Sequence, residues 1–142
     1  MLNSLLQSTQ VSILEKALSA ASLRHKVISN NIANVNTPKF KKSEVSFEDR
    51  LATAMDSQNT SASSLLARTH ERHLPIQSKT ANLNVEPTVN TITTNSFRTD
   101  DNNVDIDGEM AGLAKNNIYY NAVADRINKY FSNIKTVING GR

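Results

Sequence analysis

Residues 30–42 read NNIANVNTPKFKK. An apolar stripe with helical spacing runs into this stretch for more than twenty residues. It then meets four asparagines in seven positions, a Thr-Pro and three lysines. Pro38 lacks an N–H and disfavours the helical region for Thr37, so the helix has to end near Asn34–Asn36. Asparagine tolerates the left-handed conformation common at helix ends, which accounts for part of the enrichment. Asn30, Asn31 and Asn34 stand before the stop. Their amides are suited to hydrogen bonds across a helix–helix contact, where one polar group can fix register.

Upstream, Val11, Leu14, Leu18, Ala21, His25, Ile28, Ile32 and Val35 alternate spacings of three and four, which is a heptad seam. Ile13, Ala17, Ala20 and Val27 widen it. At the other end Met110, Leu113, Asn117, Tyr120, Ala124, Ile127, Phe131, Ile134 and Ile138 repeat the pattern. Tyr119, Val123, Tyr130 and Val137 flank it. Asp105 or Asp107 is the candidate N-cap, and Gly140 and Gly141 close the segment.

The expected fold is mainly α, with long N- and C-terminal helices packed as a coiled coil around a poorly ordered or small-β middle segment. Residues 1–36 form the N-terminal coiled-coil helix. Residues 37–108 form the junction, a loop region and a short helix or β-hairpin. Residues 109–139 form the C-terminal coiled-coil helix. Within the middle, residues 43–56 suggest a short helical continuation through Phe47, Leu51 and Met55, and residues 57–64 a linker. Leu83 and Val85 alternate with polar residues, as in a strand or hairpin over 74–86. Residues 88–103 hold twelve Thr, Asn, Ser or Asp in sixteen. That run lacks the apolar area to offset an ordering cost of about 1–2 kcal/mol per residue.

Composition narrows the function. Hydrophobic residues are 38% and aromatics 5% of 142 residues, which suits an elongated or partly disordered monomer better than a compact globule. Net charge is +3, and no basic stripe with interleaved aromatics occurs, so no nucleic-acid partner is expected. No apolar run approaches the roughly 20 residues that span a bilayer, so no lipid bilayer insertion is expected. The N-terminus lacks the pattern of a cleaved signal peptide. Absence of cysteine excludes disulfides and thiolate chemistry.

No catalytic, cofactor or metal set is expected. His70 and His73 lie three apart, but Pro75 follows and no carboxylate cluster is near. Asp100, Asp101, Asp105, Asp107 and Glu109 do not have the offsets of a calcium loop; capping and helix-dipole complementarity explain them better. Two readings stay open for His25, a buried register-setting group or an outward-facing one, and Asn117 has the same ambiguity. Lys39, Lys41 and Lys42 are either a solvated turn or a contact for an acidic surface on another subunit.

SNNIANVNTPKFKK resembles the signature of the flagellar basal-body rod and hook family, Asn-Ile-Ala-Asn-x-x-Thr-Pro-Gly-Tyr-Lys. Asn31, Ile32, Ala33, Asn34, Thr37, Pro38 and Lys41 match, whereas Lys39 replaces glycine and Phe40 tyrosine. Glycine at that place permits a type II turn; lysine favours type I or an extended path. Residues 102–131, NNVDIDGEMAGLAKNNIYYNAVADRINKYF, and 67–76, ARTHERHLPI, are similar to the proximal-rod branch of the family.

The resemblance implies terminal helices packed as a coiled-coil domain and stacked into a helical tube. It implies export without a cleaved signal peptide, through the flagellar type III apparatus, to the rod crossing the periplasm. Implied partners are other copies of the chain, other flagellar rod proteins, and the membrane ring and export gate at the rod base. Its expected function is that of a self-assembling structural subunit of the torque-transmitting shaft, and not an enzyme. The expected assembly interface is Val11, Leu14, Leu18, Ala21, Ile28, Ile32, Met110, Leu113, Tyr120, Ile127, Phe131, Ile134 and Ile138. The competing reading is a soluble coiled-coil adaptor or regulatory binding protein.

Overall fold

The long apolar periodicities become two long helices. The computed structural model describes residues 9–63, 85–94 and 98–140, with only the backbone described for 57–63. Helix α1 spans Thr9–Ala33. Strand β1, Ser43–Ser46, leads into helix α2, Glu48–Ser63. Strand β2 is Thr88–Thr91, and helix α3 is Ile106–Ile138. At about 1.5 Å per residue, α3 is roughly 50 Å long. The mainly helical expectation holds.

The ends of α3 follow from capping chemistry. Asp105 is the N-cap, and its carboxylate accepts from the Asp107 N–H. At the other end Gly140 has φ +76° just past the Asn139 C-cap, the left-handed position that glycine fills without a Cβ clash.

Helices α1 and α3 pack against each other. The α1 contribution is mostly small: Ala17, Ala20 and Ala21 are buried, with Ile28 further along. Gly112 on α3 lies against Ile28. Small side chains let the helix axes approach closely. One flank of the pair is filled by the corner between β1 and α2. There Phe47, the largest fully buried side chain among the described residues, packs with Ala17, Ala20, Val85 and Val123. Leu14, Leu18, Leu51, Ala54, Tyr119 and Ile127 surround this cluster. Burying a phenylalanine contributes about 1.5–3 kcal/mol.

Three expectations for the middle segment are corrected. Residues 43–46 form a strand rather than a helical continuation, and the helix begins only at Glu48. Residues 57–63 continue α2 instead of forming a linker. The Thr/Asn-rich run 88–103 is ordered over its described part, because Thr88–Thr91 pair antiparallel with Ser43–Ser46. Its cost is offset by backbone and amide hydrogen bonds rather than by apolar burial. Of the suggested hairpin over 74–86, Val85 is buried and neither it nor Glu86 is in a strand; residues 74–84 lie outside the described residues, as do His70 and His73.

Candidate functional site

The junction after α1 is held by three asparagines acting as surrogate backbone. A helix C-terminus leaves orphan carbonyls. Here Asn102, fully buried, inserts its amide among them. Its Nδ2 donates to the carbonyls of Asn34, Val35 and Thr37 at 3.0, 3.1 and 2.9 Å. Its Oδ1 accepts from the Val104 N–H at 2.7 Å. A residue just before α3 therefore caps α1.

Asn103 does the same for the sheet. The Ile92 N–H donates to the Lys42 carbonyl. The reciprocal ladder bond is replaced by an amide wedge: the Lys42 N–H donates to Asn103 Oδ1 at 2.7 Å, and Asn103 Nδ2 donates to the Ile92 carbonyl at 2.8 Å.

Asn31 is the third. It is 1% exposed and pairs with the outer edge of β1 as another strand would. Its Oδ1 accepts from the Ser43 N–H at 3.1 Å, and its Nδ2 donates to the Ser43 carbonyl at 2.9 Å. The same Nδ2 donates to Glu109 Oε2 at 3.0 Å. One amide thus ties α1, β1 and the first turn of α3 together. The expectation that an asparagine here bonds across helices is met by Asn31. Asn34 instead donates to the carbonyl and Oδ1 of Asn30, one turn back, and accepts from the Thr37 hydroxyl.

Two expectations about the turn are corrected. No asparagine at the end of α1 is left-handed; the only described non-glycine residues with positive φ are Lys39 and Asp101, both at 63°. Lys39 was expected to favour a type I or extended path. Its φ instead marks the third position of a type II turn, closed by Phe40 N–H to the Thr37 carbonyl at 3.3 Å. The left-handed backbone costs a lysine about 1 kcal/mol. The surrounding bonds over-determine the turn: the Lys39 N–H donates to the Asp100 carbonyl at 2.9 Å, and Lys41 Nζ to the Asp101 carbonyl at 2.7 Å. Lys42 pairs with Glu44 at 2.8 Å. That hydrogen bond raises the Lys42 pKa against the opposing effect of burial. Lys41 and Lys42 are thus engaged within the chain.

Of the remaining motif residues, Ile32 is half-buried, and Ala33 and Pro38 are exposed.

Near the middle of the helix pair, Arg24 of α1 binds the Glu48 carboxylate and reaches the Val45 carbonyl at 3.5 Å. Burial pushes the Glu48 carboxyl up, but the Arg24 hydrogen bond and charge outweigh it and hold it below the ordinary value. Burial, with the Glu48 charge beside it, raises the Tyr119 pKa.

The two seams are placed asymmetrically. On α1, Ala21 and Ile28 are buried, and Val11, Leu14, Leu18 and Ile32 are half-buried; His25 faces outward. On α3 the stripe facing α1 is Asn116, Tyr119, Val123 and Ile127. Leu113 and Ile134 are half-buried, but Met110, Tyr120, Phe131 and Ile138 are 52%, 40%, 42% and 65% exposed. Asn117 is exposed with them. At 3.6 residues per turn, this second stripe lies roughly 90° around α3 from the first. Among the described residues no helix is long and apolar enough to cross a membrane.

A helix pair locked by a motif of buried asparagines is the class of structure in hand, and its relatives show where it occurs. Residues 12–41, from α1 through the turn, match the family model described as flagella basal body rod protein. Over nearly its whole length the chain is similar to the flagellar basal body rod protein FlgB of Bacillus subtilis (strain 168), with 38% identity over 129 residues, covering 91% of this chain and 92% of the relative. It is 35% identical over 128 residues to FlgB of Borrelia hermsii, covering 90% and 94%. With FlgB of Proteus mirabilis (strain HI4320) it shares 30% over 128 residues, covering 89% and 91%. The chain belongs to the flagellar basal body rod protein family, on its FlgB branch, and is a component of the basal body rod.

Asn102, Asn103 and Asn116 were missed as site residues by the sequence reading. The available signal was their pairing, Asn102-Asn103 just before the Asp105 N-cap and Asn116-Asn117 inside an apolar stripe.

Proposed function

We propose that the chain is a self-assembling structural subunit of the shaft, joining neighbouring subunits through its terminal helices and passing torque along the rod. The observation that supports this is the second stripe of α3, Met110, Tyr120, Phe131 and Ile138, left exposed after α1 and α3 have packed. A regular apolar stripe on a long helix is a surface for another helix. Interdigitated seams resist sliding, as a torque-bearing contact must. Head-to-tail contacts that do not close extend into a helical assembly.

On this reading the partners are other copies of the chain and other rod proteins, with the membrane ring and export gate at the base. The subunit leaves the cell body through the flagellar export apparatus. Phe47 and the asparagine lock hold one chain's helices in the geometry its neighbours receive.

The test uses Met110→Asp and Phe131→Asp in cells lacking the native protein. Both sites are exposed in the single chain, so its helicity and export are retained. A carboxylate in a dry contact, where an unpaired buried charge costs about 3–5 kcal/mol, abolishes rods and swimming. Normal rods in both variants would refute the reading.

A further inference from the structure

Helix α3 runs on past the start of α1. Two contacts fix the register of the pair. Asn116 Nδ2 donates to the Ala21 carbonyl at 2.9 Å, and Gly112 lies against Ile28. Stepping back along α3 thus steps forward along α1, so the helices are antiparallel. In such a pair the numbers of facing residues have a constant sum, here 137 to 140. Thr9, where α1 starts, therefore faces residues 128–131 of α3. The last two turns of α3, residues 132–138, have no described part of α1 opposite them.

The α1-facing stripe of α3 continues into those turns. From Val123 and Ile127 it passes at helical spacing through Tyr130 and Ile134 to Val137. Its cover fails along the way. Val123 is 8% exposed, Ile127, Tyr130 and Ile134 are half-buried, and Val137 is 79% exposed. The gap also widens. Ala17, Ala20 and Ala21 mark the close approach of the two axes, and crossed axes diverge away from that point. Beyond it an open groove of about 500 Å³ separates Gln10 and Ile13 from Lys129, Tyr130 and Asn133. What covers the tip of α3 has to be apolar and larger than alanine.

Residues 1–8, MLNSLLQS, are the chain outside the described residues on this side. They include no glycine, proline or charged side chain. Counted back along the α1 face that meets α3, Ala20, Ala17, Ile13 and Gln10 are followed by Leu6 and Leu2, at steps of three and four. The register sets Leu6 opposite residues 131–134 and Leu2 opposite residues 135–138. Eight helical residues are about 12 Å long, enough to cover the roughly 10 Å from Phe131 to Ile138. We propose that residues 1–8 of the same chain continue α1 and dock on the last two turns of α3, Leu6 against Ile134 and Leu2 against Val137. Phe131 and Ile138 stay outside this contact, on the stripe left for neighbouring subunits. The contact lies within one chain and holds whether or not that stripe is covered.

The chain has no native cysteine, so paired cysteines report the contact in the purified full-length chain. Leu6→Cys with Ile134→Cys is treated with a short bis-maleimide. Gln10→Cys with Lys129→Cys, across the described groove, is treated in parallel. Both pairs are expected to link within a monomer, identified by its mass. A link at the second pair alone would overturn the proposal. So would a Leu6–Ile134 link found only in dimers, which assigns the tip of α3 to a second copy. Failure of both pairs would overturn it together with the register on which it stands.

A second measurement follows maleimide labelling of Val137→Cys. Adding Leu2→Ser and Leu6→Ser speeds it at least about fivefold by uncovering the tip. Labelling of Val123→Cys, in the buried part of the pair, stays slow in the same background. No change at Val137→Cys, or equal acceleration at Val123→Cys, would overturn the proposal.

Discussion

Replacing Asn102 by alanine removes the cap of a helix that is distant in sequence. Three carbonyls at the end of α1, those of Asn34, Val35 and Thr37, lose one of their two donors and keep the Thr37 N–H, the Arg98 guanidinium and the Phe40 N–H, and the Val104 N–H loses its acceptor. The amide has two N–H groups, so the three carbonyl contacts amount to about two full hydrogen bonds. Each bond contributes about 1 kcal/mol net, and the Val104 N–H, left buried without its acceptor, adds to the loss. The expected cost is about 3 kcal/mol, a large share of a typical domain stability of about 5–15 kcal/mol. With a urea dependence of about 2 kcal/mol per M, the midpoint falls by about 1.5 M. The transition is followed by far-UV circular dichroism in mixed urea and trimethylamine N-oxide, so that a marginally stable chain still shows both baselines. Asn102→Asp, which keeps an acceptor for Val104 but sets a carboxylate against carbonyl oxygens, falls at least as far. Asn36→Ala, at an exposed position, changes stability by less than about 0.5 kcal/mol. A loss below about 1 kcal/mol for Asn102→Ala would refute the capping role.

Lys39→Gly removes the left-handed strain but adds freedom to the unfolded chain, so the stability measured by urea unfolding is unchanged or rises by up to about 1 kcal/mol. Lys39→Val, β-branched at the same positive φ, lowers it by about 1 kcal/mol or more. Glu48 has a folded pKa below its unfolded value, so its contribution is present above the unfolded pKa and disappears as pH falls through the lowered folded value. Because Glu48 is half-exposed, that contribution is about 0.2–1 kcal/mol, and Glu48→Gln flattens this part of the acid limb when midpoints are compared between neutral and acidic pH. An unaltered acid limb would sink the ion-pair assignment.

The two helices were legible because alternating threes and fours persist over many turns, and proline and glycine mark where they stop. Which stripe of α3 faces α1 was not, since Val123 and Phe131 belong to neighbouring stripes of similar apolarity. The choice is made by Ala17, Ala20 and Ala21, whose small side chains set the close approach. The ordered part of residues 88–103 escaped a reading based on apolar area because Asn102 and Asn103 are held by hydrogen bonds to backbone groups distant in sequence. Lys39 shows the same override, as neighbouring bonds impose on a lysine the φ that favours glycine.

The central claim, that assembly covers the second stripe of α3, is tested most directly by single cysteines at Met110, Tyr120 and Phe131. Maleimide labelling rates are measured for the isolated chain and for the same chain in purified basal bodies. The account predicts fast labelling in isolation and at least about tenfold slower labelling at all three positions in the rod. Equal rates in the two states would contradict it.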